Sequence, residues 1–414
     1  MDFFAVALDD AAVLTRWLHV VAAFIWVGSA LALLKLELAA RPRGEGAPSG
    51  WRTPEQGAEQ PAPQTLFLHA GAGFRLARAK DADGGERALN FKMEAYATWA
   101  SGFALLCLIF CAAPRLYLID PSLWNAAPWA AVAAALIPLA LSWLAYDALC
   151  KRSGLTGDAL LAALFMFAAV LALALTHVFA GRAAYLLIGA HFGTIMTANI
   201  AHVIAPAQKR RLASLRAGLP ADETDAKTAL TRALHNQYLA LPIIFFMLSG
   251  HAPLLFAGPD NGVAAVLFIA GFFLIRRLWL AFLRSAALDK RLAAAAVACF
   301  ALGLYLSAPS APPPVNEARS ASEAITLAMR PDDAEIAAII ESRCLACHAA
   351  QPQMSGLAHA AGGLDFSRSG DLPKYRREIL RAAVFSRAMP PPGAAPPLDA
   401  DEKARLIRWA AQAD

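Results

Sequence analysis

Residues 158–180 read DALLAALFMFAAVLALALTHVFA, an almost uninterrupted run of apolar side chains. The hydrocarbon core of a bilayer is about 30 Å thick, and roughly 20 apolar residues in a helix cross it. This run therefore predicts a transmembrane helix. Seven further segments of the same kind precede residue 310, and the sixth of the eight contains Pro242 and Pro253. The predicted transmembrane helices span approximately residues 13–36, 93–113, 126–150, 158–180, 184–206, 236–256, 262–283 and 289–307.

The composition of the whole chain agrees with a large membrane domain. Of its 414 residues, 58% are hydrophobic and 17% are charged, whereas soluble domains contain about 25% charged residues. The formal net charge of +5 does not indicate nucleic-acid binding, because the basic residues are scattered among loops and form no stripe with interleaved aromatic residues. We expect contact with membrane lipid and no nucleic-acid partner.

The lysines and arginines alternate between the two sides of the predicted bundle. The loops after the first, third, fifth and seventh helices are basic, and Arg232 belongs to this group, whereas the other loops carry few positive charges. Because basic loops face the cytoplasm, the sequence predicts a multi-pass protein of the bacterial inner membrane with both termini in the periplasm. Residues 41–64, rich in Gly, Pro, Gln and Glu, are expected to form a disordered loop.

A proline-rich stretch, APPPV at residues 311–315, marks the end of the membrane domain, because such a stretch forms a semi-rigid spacer rather than a helix. We therefore divide the chain into a membrane domain (1–310), a linker (311–325) and a compact C-terminal domain (326–414). Within the last, Asp332 with Glu335 and Asp399 with Glu402 have the spacing of capping boxes and predict the starts of two helices.

The C-terminal domain contains the motif Cys344-Leu345-Ala346-Cys347-His348, which is the attachment signature of a c-type haem. Two thiols one helical turn apart can reach the two vinyl groups of a porphyrin edge, and the adjacent imidazole then points at the iron. The alternative is half of a zinc site, but no second cysteine pair follows in the sequence. We predict a small class I cytochrome c domain with one covalent haem and His348 as an iron ligand.

The second axial ligand is expected on a later loop, because methionine and histidine together raise the haem potential to a range that suits electron transfer. Met389 is the favoured candidate, since it lies in the stretch RAMPPP, where prolines stiffen the chain. Met354 lies only a few residues after His348 and is too near in sequence to cross the porphyrin face. His359 is a further alternative.

Histidines inside the apolar segments form a second group of candidates, because ionisable residues at membrane depth are costly and often functional. His19, His177, His191 and His251 are predicted near the periplasmic face. Two of them could bind a b-type haem, and the surroundings of His19 resemble the first helix of small haem-b membrane oxidases of the protoporphyrinogen-oxidase type. The alternative is that these histidines form hydrogen bonds between helices.

Longer strings resemble the bacterial membrane-bound urate hydroxylase (urate oxidase) family, in which an eight-helix domain is fused to a C-terminal cytochrome c. One stretch departs from the family pattern: a His-Gly-Gly-Gly-Phe-Tyr string appears here as HAGAGFR at residues 69–75. The matching strings are RWLHVVAAFIWVGSA (16–30), FKMEAYATWASGFALL (91–106), LYLIDPSLW (116–124), GTIMTANIAHVIAPAQKR (193–210) and HNQYLALPIIFFMLSGHAP (235–253).

This resemblance implies oxidation of urate to 5-hydroxyisourate in purine degradation, with electrons passing to the protein's own haem c. A terminal oxidase or a soluble cytochrome of the respiratory chain would then accept them. Glu94, His235 and Asn236 are candidate catalytic residues because they lie in matching strings, as do Asn199 and Tyr238. Glu94 or His235 would be the base that removes a urate proton, although each could instead cap a helix or pair with a loop arginine.

A second reading assigns a different function to the same domains. The chain could be a membrane-anchored cytochrome c, with or without a haem b in the bundle, that transfers electrons for another dehydrogenase. Reduction of the haem by a purine would separate the two readings. Transport or sensing fits less well, because the intramembrane charges form no evident ion path in the sequence.

Overall fold

The computed structural model of the chain is almost entirely helical. It describes residues 3–39, 65–69, 72–76, 92–219, 222–256, 258–285, 288–307, 333–354, 357, 359–384, 389–391 and 394–411. The predicted linker, the predicted disordered loop and Asp332 of the first capping box lie outside these residues. The helices confirm the all-α fold class that the sequence predicted. The structure adds one small β-hairpin, which the sequence did not predict.

Long helices make up the part of the chain before residue 308. Two short stretches of wider π-helix continue these helices. Leu106–Cys111 follows α2, and Ile200–Ile204 joins α6 to α7. The helices are α1 (Phe3–Ala39), α2 (Lys92–Leu105), α3 (Pro114–Tyr117), α4 (Pro128–Arg152), α5 (Gly157–Val178), α6 (Gly181–Asn199), α7 (Ala205–Arg216), α8 (Glu223–Leu248), α9 (Asn261–Ser285) and α10 (Lys290–Ser307).

Sequence features explain several of the helix ends. α4 begins at Pro128, and proline suits the first helical position because the missing N–H has no partner there in any case. At the start of α8, the side chain of Asp222 accepts a hydrogen bond from the backbone N–H of Thr224 (2.7 Å). Pro242 lies inside α8 without ending it, as happens where neighbouring helices surround the freed carbonyl.

Seven helices of the described residues are long and apolar enough to cross a membrane. Each predicted segment overlaps one helix, but the sixth differs in extent. Helix α8 begins at Glu223, well before the predicted start at residue 236, and ends at Leu248 before the turns Ser249–His251 and Pro253–Leu255. With its polar first half, α8 is not among the seven helices. That the bundle crosses a membrane stays a prediction.

A hairpin that the sequence pattern did not predict lies between α1 and α2. Strand β1 (Thr65–His69) pairs antiparallel with β2 (Ala72–Leu76), and His69 lies opposite Ala72. Of the string that departs from the urate hydroxylase pattern (residues 69–75), His69 is the last residue of β1, and residues 72–75 lie in β2.

Helix α6 is the centre of the bundle. It packs against α2, α4, α5 and α8, and most of its residues are buried. Glycines allow the close approach to α8: a Cβ atom at Gly189 would lie 3.2 Å from Met247, and small residues at helix contacts are usual in membrane bundles. By contrast, α1 exposes large apolar side chains such as Trp17 and Phe24, which suits a surface that faces lipid.

The helix bundle has two ends, the linker end and the far end. The linker end is where α10 finishes at Ser307, whose hydroxyl donates a hydrogen bond to the carbonyl of Leu255 (3.1 Å). The far end is where α4 and α7 finish, at Arg152 and Arg216. The Pro253–Leu255 turn of the linker end contacts residues 380–384 of the C-terminal domain.

Short helices surround a separate apolar core in the C-terminal domain. Its helices are α11 (Asp333–Arg343), α12 (Leu345–His348), α13 (Arg376–Ile379) and α14 (Ala400–Ala411). The capping box predicted at α14 is confirmed, because Asp399 and Glu402 each accept a hydrogen bond from the other's backbone N–H (2.8 and 2.9 Å). Glu402 also pairs with Arg343 at 3.0 Å and so joins α14 to α11.

We predict that Asp399→Ala weakens α14 locally. The substitution removes the acceptor for the Glu402 N–H, and loss of an N-cap side chain costs about 1 kcal/mol, which corresponds to roughly fivefold faster amide exchange. Hydrogen-exchange mass spectrometry of the full chain measures this in the peptide that covers α14. Lys403→Ala, which leaves the cap intact, serves as the control. Equal exchange in the two variants would contradict the prediction.

Candidate functional site

The motif residues of the C-terminal domain form one wall of a cavity. The backbone N–H groups of Cys347 and His348 both donate to the carbonyl of Cys344 (3.2 and 2.9 Å), so the chain makes one tight turn there. Cys344, Cys347 and His348 line an open cavity of about 120 Å³. The tight turn thus brings all three motif side chains to one cavity.

Met389 lines the same cavity. Its backbone N–H donates to the carbonyl of Ala382 (3.0 Å), which fixes the loop against the preceding helical turn. Neither Met354 nor His359 is among the residues that line this cavity, and His359 is exposed. Of the three candidates for the second axial ligand, the structure thus brings only Met389 to the cavity of the motif. The ligation itself stays a prediction.

The environment of His348 suits a metal ligand. Its Nδ1 donates to the carbonyl of Leu364 (3.1 Å), so the proton lies on Nδ1 and the lone pair of Nε2 is free to bind a metal. Burial lowers the pKa of His348, although the hydrogen bond to Leu364 acts in the opposite direction. The imidazole is therefore neutral near pH 7, with the ring of Phe366 stacked on it at 4.8 Å.

The two cysteines of the motif lie in a largely buried environment that suits uncharged sulfur. Burial raises the pKa of Cys344 to about 12, with a further contribution from Cys347, and burial also raises the pKa of Cys347. Zinc requires thiolates, whereas thioether bonds to a porphyrin leave uncharged sulfur in an apolar site. The described part of the chain contains no group of three or more potential ligands for a metal ion. The residues present therefore fit a covalent c-type haem.

A second polar site lies inside the membrane domain, where α4, α6 and α8 meet. The hydroxyl of Tyr146 lies 2.7 Å from Nδ1 of His235 and accepts a hydrogen bond from the Asn199 amide (3.3 Å). The same amide donates to Oδ1 of Asn236 (2.9 Å). This Tyr146 network brings three of the sequence candidates together, namely His235, Asn199 and Asn236.

Two further contacts complete the network. Asn236 donates to the carbonyl of Met196 (3.0 Å), and the indole of Trp143 donates to Oδ1 of Asn199 (3.3 Å). The oxygen and the nitrogen of the Asn236 side chain are therefore both engaged within the protein. A side chain with hydrogen bonds at both its oxygen and its nitrogen holds helices in register. Asn236 is therefore poorly placed to bind a substrate.

A buried ion pair lies next to this network. Arg232 donates to Asp147 at 2.6 Å, and Lys151 approaches the other carboxylate oxygen at 2.7 Å. The guanidinium of Arg232 also lies over the ring of Tyr146, 4.8 Å from its centroid. We expected Arg232 in a basic loop, and this was wrong: it lies within α8, and its side chain is 2% exposed. Asp147 balances the charge of Arg232 and makes its burial tolerable.

The other catalytic candidates lie outside the Tyr146 network. Glu94, in the first turn of α2, has a buried carboxylate oxygen, Oε2, with no hydrogen-bond partner among the described residues. Tyr238 packs its ring against Phe273 of α9, with 5.3 Å between centroids. The sequence reasoning missed Tyr146, Asp147 and Arg232. A signal was present, because Arg232 lies one helical turn before His235 and Asp147 interrupts an apolar run.

The histidines predicted near the periplasmic face have different environments. His177 and His251 are exposed. Nδ1 of His19 lies 2.9 Å from the carbonyl of Thr98 and 3.2 Å from the hydroxyl of Ser101, which ties α1 to α2. His191 is fully buried and bonds the carbonyl of Leu187 (2.8 Å). His19 thus has the interhelical hydrogen bonds of the alternative reading, and a b-type haem stays a prediction.

We predict that Asp147→Asn destabilises the bundle strongly, because it leaves the buried guanidinium of Arg232 without a counter-charge. The loss of one partner of a buried pair costs about 3–5 kcal/mol. Thermal unfolding of the detergent-purified chain measures the effect. The control is Asp225→Asn, which removes the exposed partner of Arg210 and should change the unfolding temperature little. If the unfolding temperature falls by a similar amount in both variants, the burial of the Asp147–Arg232 pair does not explain the effect.

Comparison with known proteins gives one family match. Residues 5–307 match the family model described as Urate oxidase N-terminal. The match begins in α1 and ends at the last residue of α10, so it covers the helix bundle and stops before the C-terminal domain. No curated protein and no solved structure gives a significant match.

Proposed function

We propose that this chain, which belongs to the Urate oxidase N-terminal family, is a membrane-bound oxidoreductase that converts urate to 5-hydroxyisourate and delivers the electrons to a c-type haem in its own C-terminal domain. Membership of the family supports a urate-related oxidoreductase. The observation that carries the rest of the proposal is the single cavity that brings together Cys344, Cys347, His348 and Met389.

The proposed reaction balances without oxygen as a direct reactant. C5 of urate gains a hydroxyl group from water, and two electrons and two protons leave the purine. A haem, when bound, supplies a site that takes up one electron at a time. A respiratory component, such as a terminal oxidase or a soluble cytochrome, would then receive the electrons, as the sequence resemblance implies.

The residues of the C-terminal domain have distinct proposed roles. Cys344 and Cys347 would hold the haem covalently, and His348 and Met389 would bind its iron. The carbonyl of Leu364 fixes the tautomer of His348, and such second partners orient a ligating imidazole. The zinc alternative lacks comparable support, because the described residues contain no group of three or more potential metal ligands.

Among the three catalytic candidates, Glu94 fits the role of base best. A base must present a free acceptor to the proton that it removes, and Oε2 of Glu94 is buried without a hydrogen-bond partner in the described part of the chain. Nδ1 of His235 is engaged with Tyr146, and the oxygen and the nitrogen of the Asn236 amide each make a hydrogen bond within the protein. We therefore assign His235 and Asn236 to the positioning of α4, α6 and α8.

The proposed location is the bacterial inner membrane, with both termini and the C-terminal domain in the periplasm. The apolar helices and the exposed apolar side chains of α1 support contact with lipid. Lysines and arginines gather at the far end, for example Lys151, Arg152 and Arg216, which supports a cytoplasmic position for that end.

We predict that urate reduces the haem of the purified, air-oxidised protein. An anaerobic visible spectrum should gain the bands of a reduced c-type haem after urate is added, because the purine is the electron donor in this proposal. Xanthine is the control and should leave the spectrum unchanged. If dithionite reduces the haem but urate does not, the urate assignment is wrong. An electron-transfer module that serves another dehydrogenase then becomes the better reading.

We predict that Glu94→Gln slows the urate-dependent reduction of the haem by a factor of roughly 10²–10⁴, the usual contribution of a general base. The amide cannot take up the proton, although it keeps the size of the side chain. Anaerobic stopped-flow spectroscopy at saturating urate measures the rate. Glu223→Gln is the matched control, since Glu223 is exposed and pairs only weakly with Lys227 (3.7 Å). Unchanged rates in both variants would rule out Glu94 as the base.

A further inference from the structure

We propose that Arg276 is the residue of the helix bundle that binds the negative charge of the substrate, with Gln237 beside it as a hydrogen-bonding partner. This inference rests on the proposed function, because it takes the substrate to be a planar purine anion. It assigns the recognition of urate to the side of α8 that faces α1 and α9, away from the Tyr146 network.

Arg276 is a buried charge that pairs with no carboxylate among the described residues. Its side chain is fully buried in α9, and Nε and both terminal nitrogens have no hydrogen-bond partner among the described residues. The ring of Trp279 lies 5.3 Å from the guanidinium carbon. A buried charge is stable only if it is paired, so an anion that is not part of the described chain would fit here.

Two other arginines of the bundle, unlike Arg276, each have a carboxylate partner within the described residues. Arg232 is buried and pairs with Asp147 at 2.6 Å. Arg277, the next residue after Arg276, is half exposed and pairs with Asp158 at 3.1 Å. Two adjacent arginines on α9 thus have opposite environments, and only the exposed one has a carboxylate partner among the residues described.

Gln237 lies in the same region of the bundle. Its side-chain nitrogen donates to the carbonyl of Ala30 in α1 (3.1 Å), while its oxygen is buried without a partner in the described chain. The neighbouring residue, Tyr238, contacts Phe273, and Phe273 precedes Arg276 by one helical turn. The contact between Tyr238 and Phe273 therefore sets Gln237 and Arg276 at a similar depth in the bundle. Helix α9 packs against both α8 and α1, and the two residues lie where these three helices meet.

Two more unpartnered polar atoms lie at this depth, Oε2 of Glu94 and Oγ1 of Thr197. The indole of Trp99 donates to the hydroxyl of Thr194 (3.1 Å) and sets α2 level with α6. Glu94 precedes Trp99 by five residues and Thr197 follows Thr194 by three, and the two helices run in opposite directions. At 1.5 Å per residue, Glu94 and Thr197 differ in depth by only about 3 Å.

The hydrogen bond from Asn236 to the carbonyl of Met196 sets α8 at the same level. Four helices, α2, α6, α8 and α9, therefore contribute one layer of polar groups, which we call the unpartnered layer: Glu94, Thr197, Gln237 and Arg276. It contains a cation, a carboxylate, a hydroxyl and an amide oxygen. The Tyr146 network, by contrast, lies on the α4 side of α6 and α8 and is satisfied within the protein.

The chemistry of the unpartnered layer matches a urate anion. Urate carries one negative charge near neutral pH and alternates carbonyl oxygens with N–H groups around a planar ring system. A guanidinium offers parallel N–H donors to such an edge, and the Gln237 oxygen accepts from a ring N–H. A lipid phosphate does not fit, because Arg276 lies roughly 22 Å from the start of α9 and about 14 Å from its end, away from both interfaces.

The test compares the same substitution at two adjacent arginines, Arg276→Met and Arg277→Met, in the full-length protein in lipid nanodiscs. Equilibrium dialysis with radiolabelled urate, under anaerobic conditions, gives the Kd. Loss of a charge-assisted contact should raise the Kd about 10- to 100-fold in Arg276→Met, whereas Arg277→Met should stay close to wild type. Because an uncompensated buried charge is removed, Arg276→Met should also unfold at the same or a higher temperature without urate.

The outcomes separate this inference from the proposed function. If Arg276→Met binds urate as tightly as the wild type, Arg276 does not bind the substrate, while the urate function stands. A fall of several degrees in its unfolding temperature would show a structural partner for Arg276 and would also overturn the inference. If the wild-type protein neither binds urate nor is reduced by it, the proposed function itself fails, and the assignment of Arg276 to urate fails with it.

Discussion

Within a helix bundle that excludes water, a charged side chain must find its counter-charge in the protein or in a ligand. Asp147 and Arg232 satisfy this requirement inside the chain, with a separation of 2.6 Å and the ring of Tyr146 against the guanidinium. Around them, α4, α6 and α8 are held in one register by the hydrogen bonds of Asn199 and Asn236. The positions of the remaining polar groups, including the unpartnered layer on the opposite side, follow from this fixed core.

The two polar regions of the bundle consequently serve different purposes. A fully bonded network is rigid and specifies a unique arrangement, so the Tyr146 network suits a framework better than a binding site. Unpartnered buried groups cost free energy in the absence of a ligand, and the binding energy of a matching ligand compensates that cost. Catalytic sites commonly carry such a local penalty, which the stability of the surrounding structure tolerates.

Local sequence patterns predicted much of the fold, because they depend on interactions between near neighbours in the chain. Apolar runs indicated the helices, and the spacing of Asp399 and Glu402 indicated the start of α14. The long-range contacts were not predictable in this way. Arg232 looked like a loop residue, since nothing in its own neighbourhood shows that Asp147, many residues away, lies beside it. For the same reason, the sequence identified His235 and Asn236 as candidates but not the tyrosine that holds them.

The two domains set a geometric condition on electron transfer. Residues 380–384, which include two of the residues that line the cavity of the motif, contact the Pro253–Leu255 turn at the linker end. Gln237, in contrast, lies 11 residues before the end of α8, about 16 Å along the helix axis. Aromatic rings occupy much of the interval, since Phe246 packs against Tyr185 and Phe192 at 5.3 and 6.2 Å. Oxidation at the unpartnered layer would therefore require electrons to cross this aromatic interior before they reach the C-terminal domain.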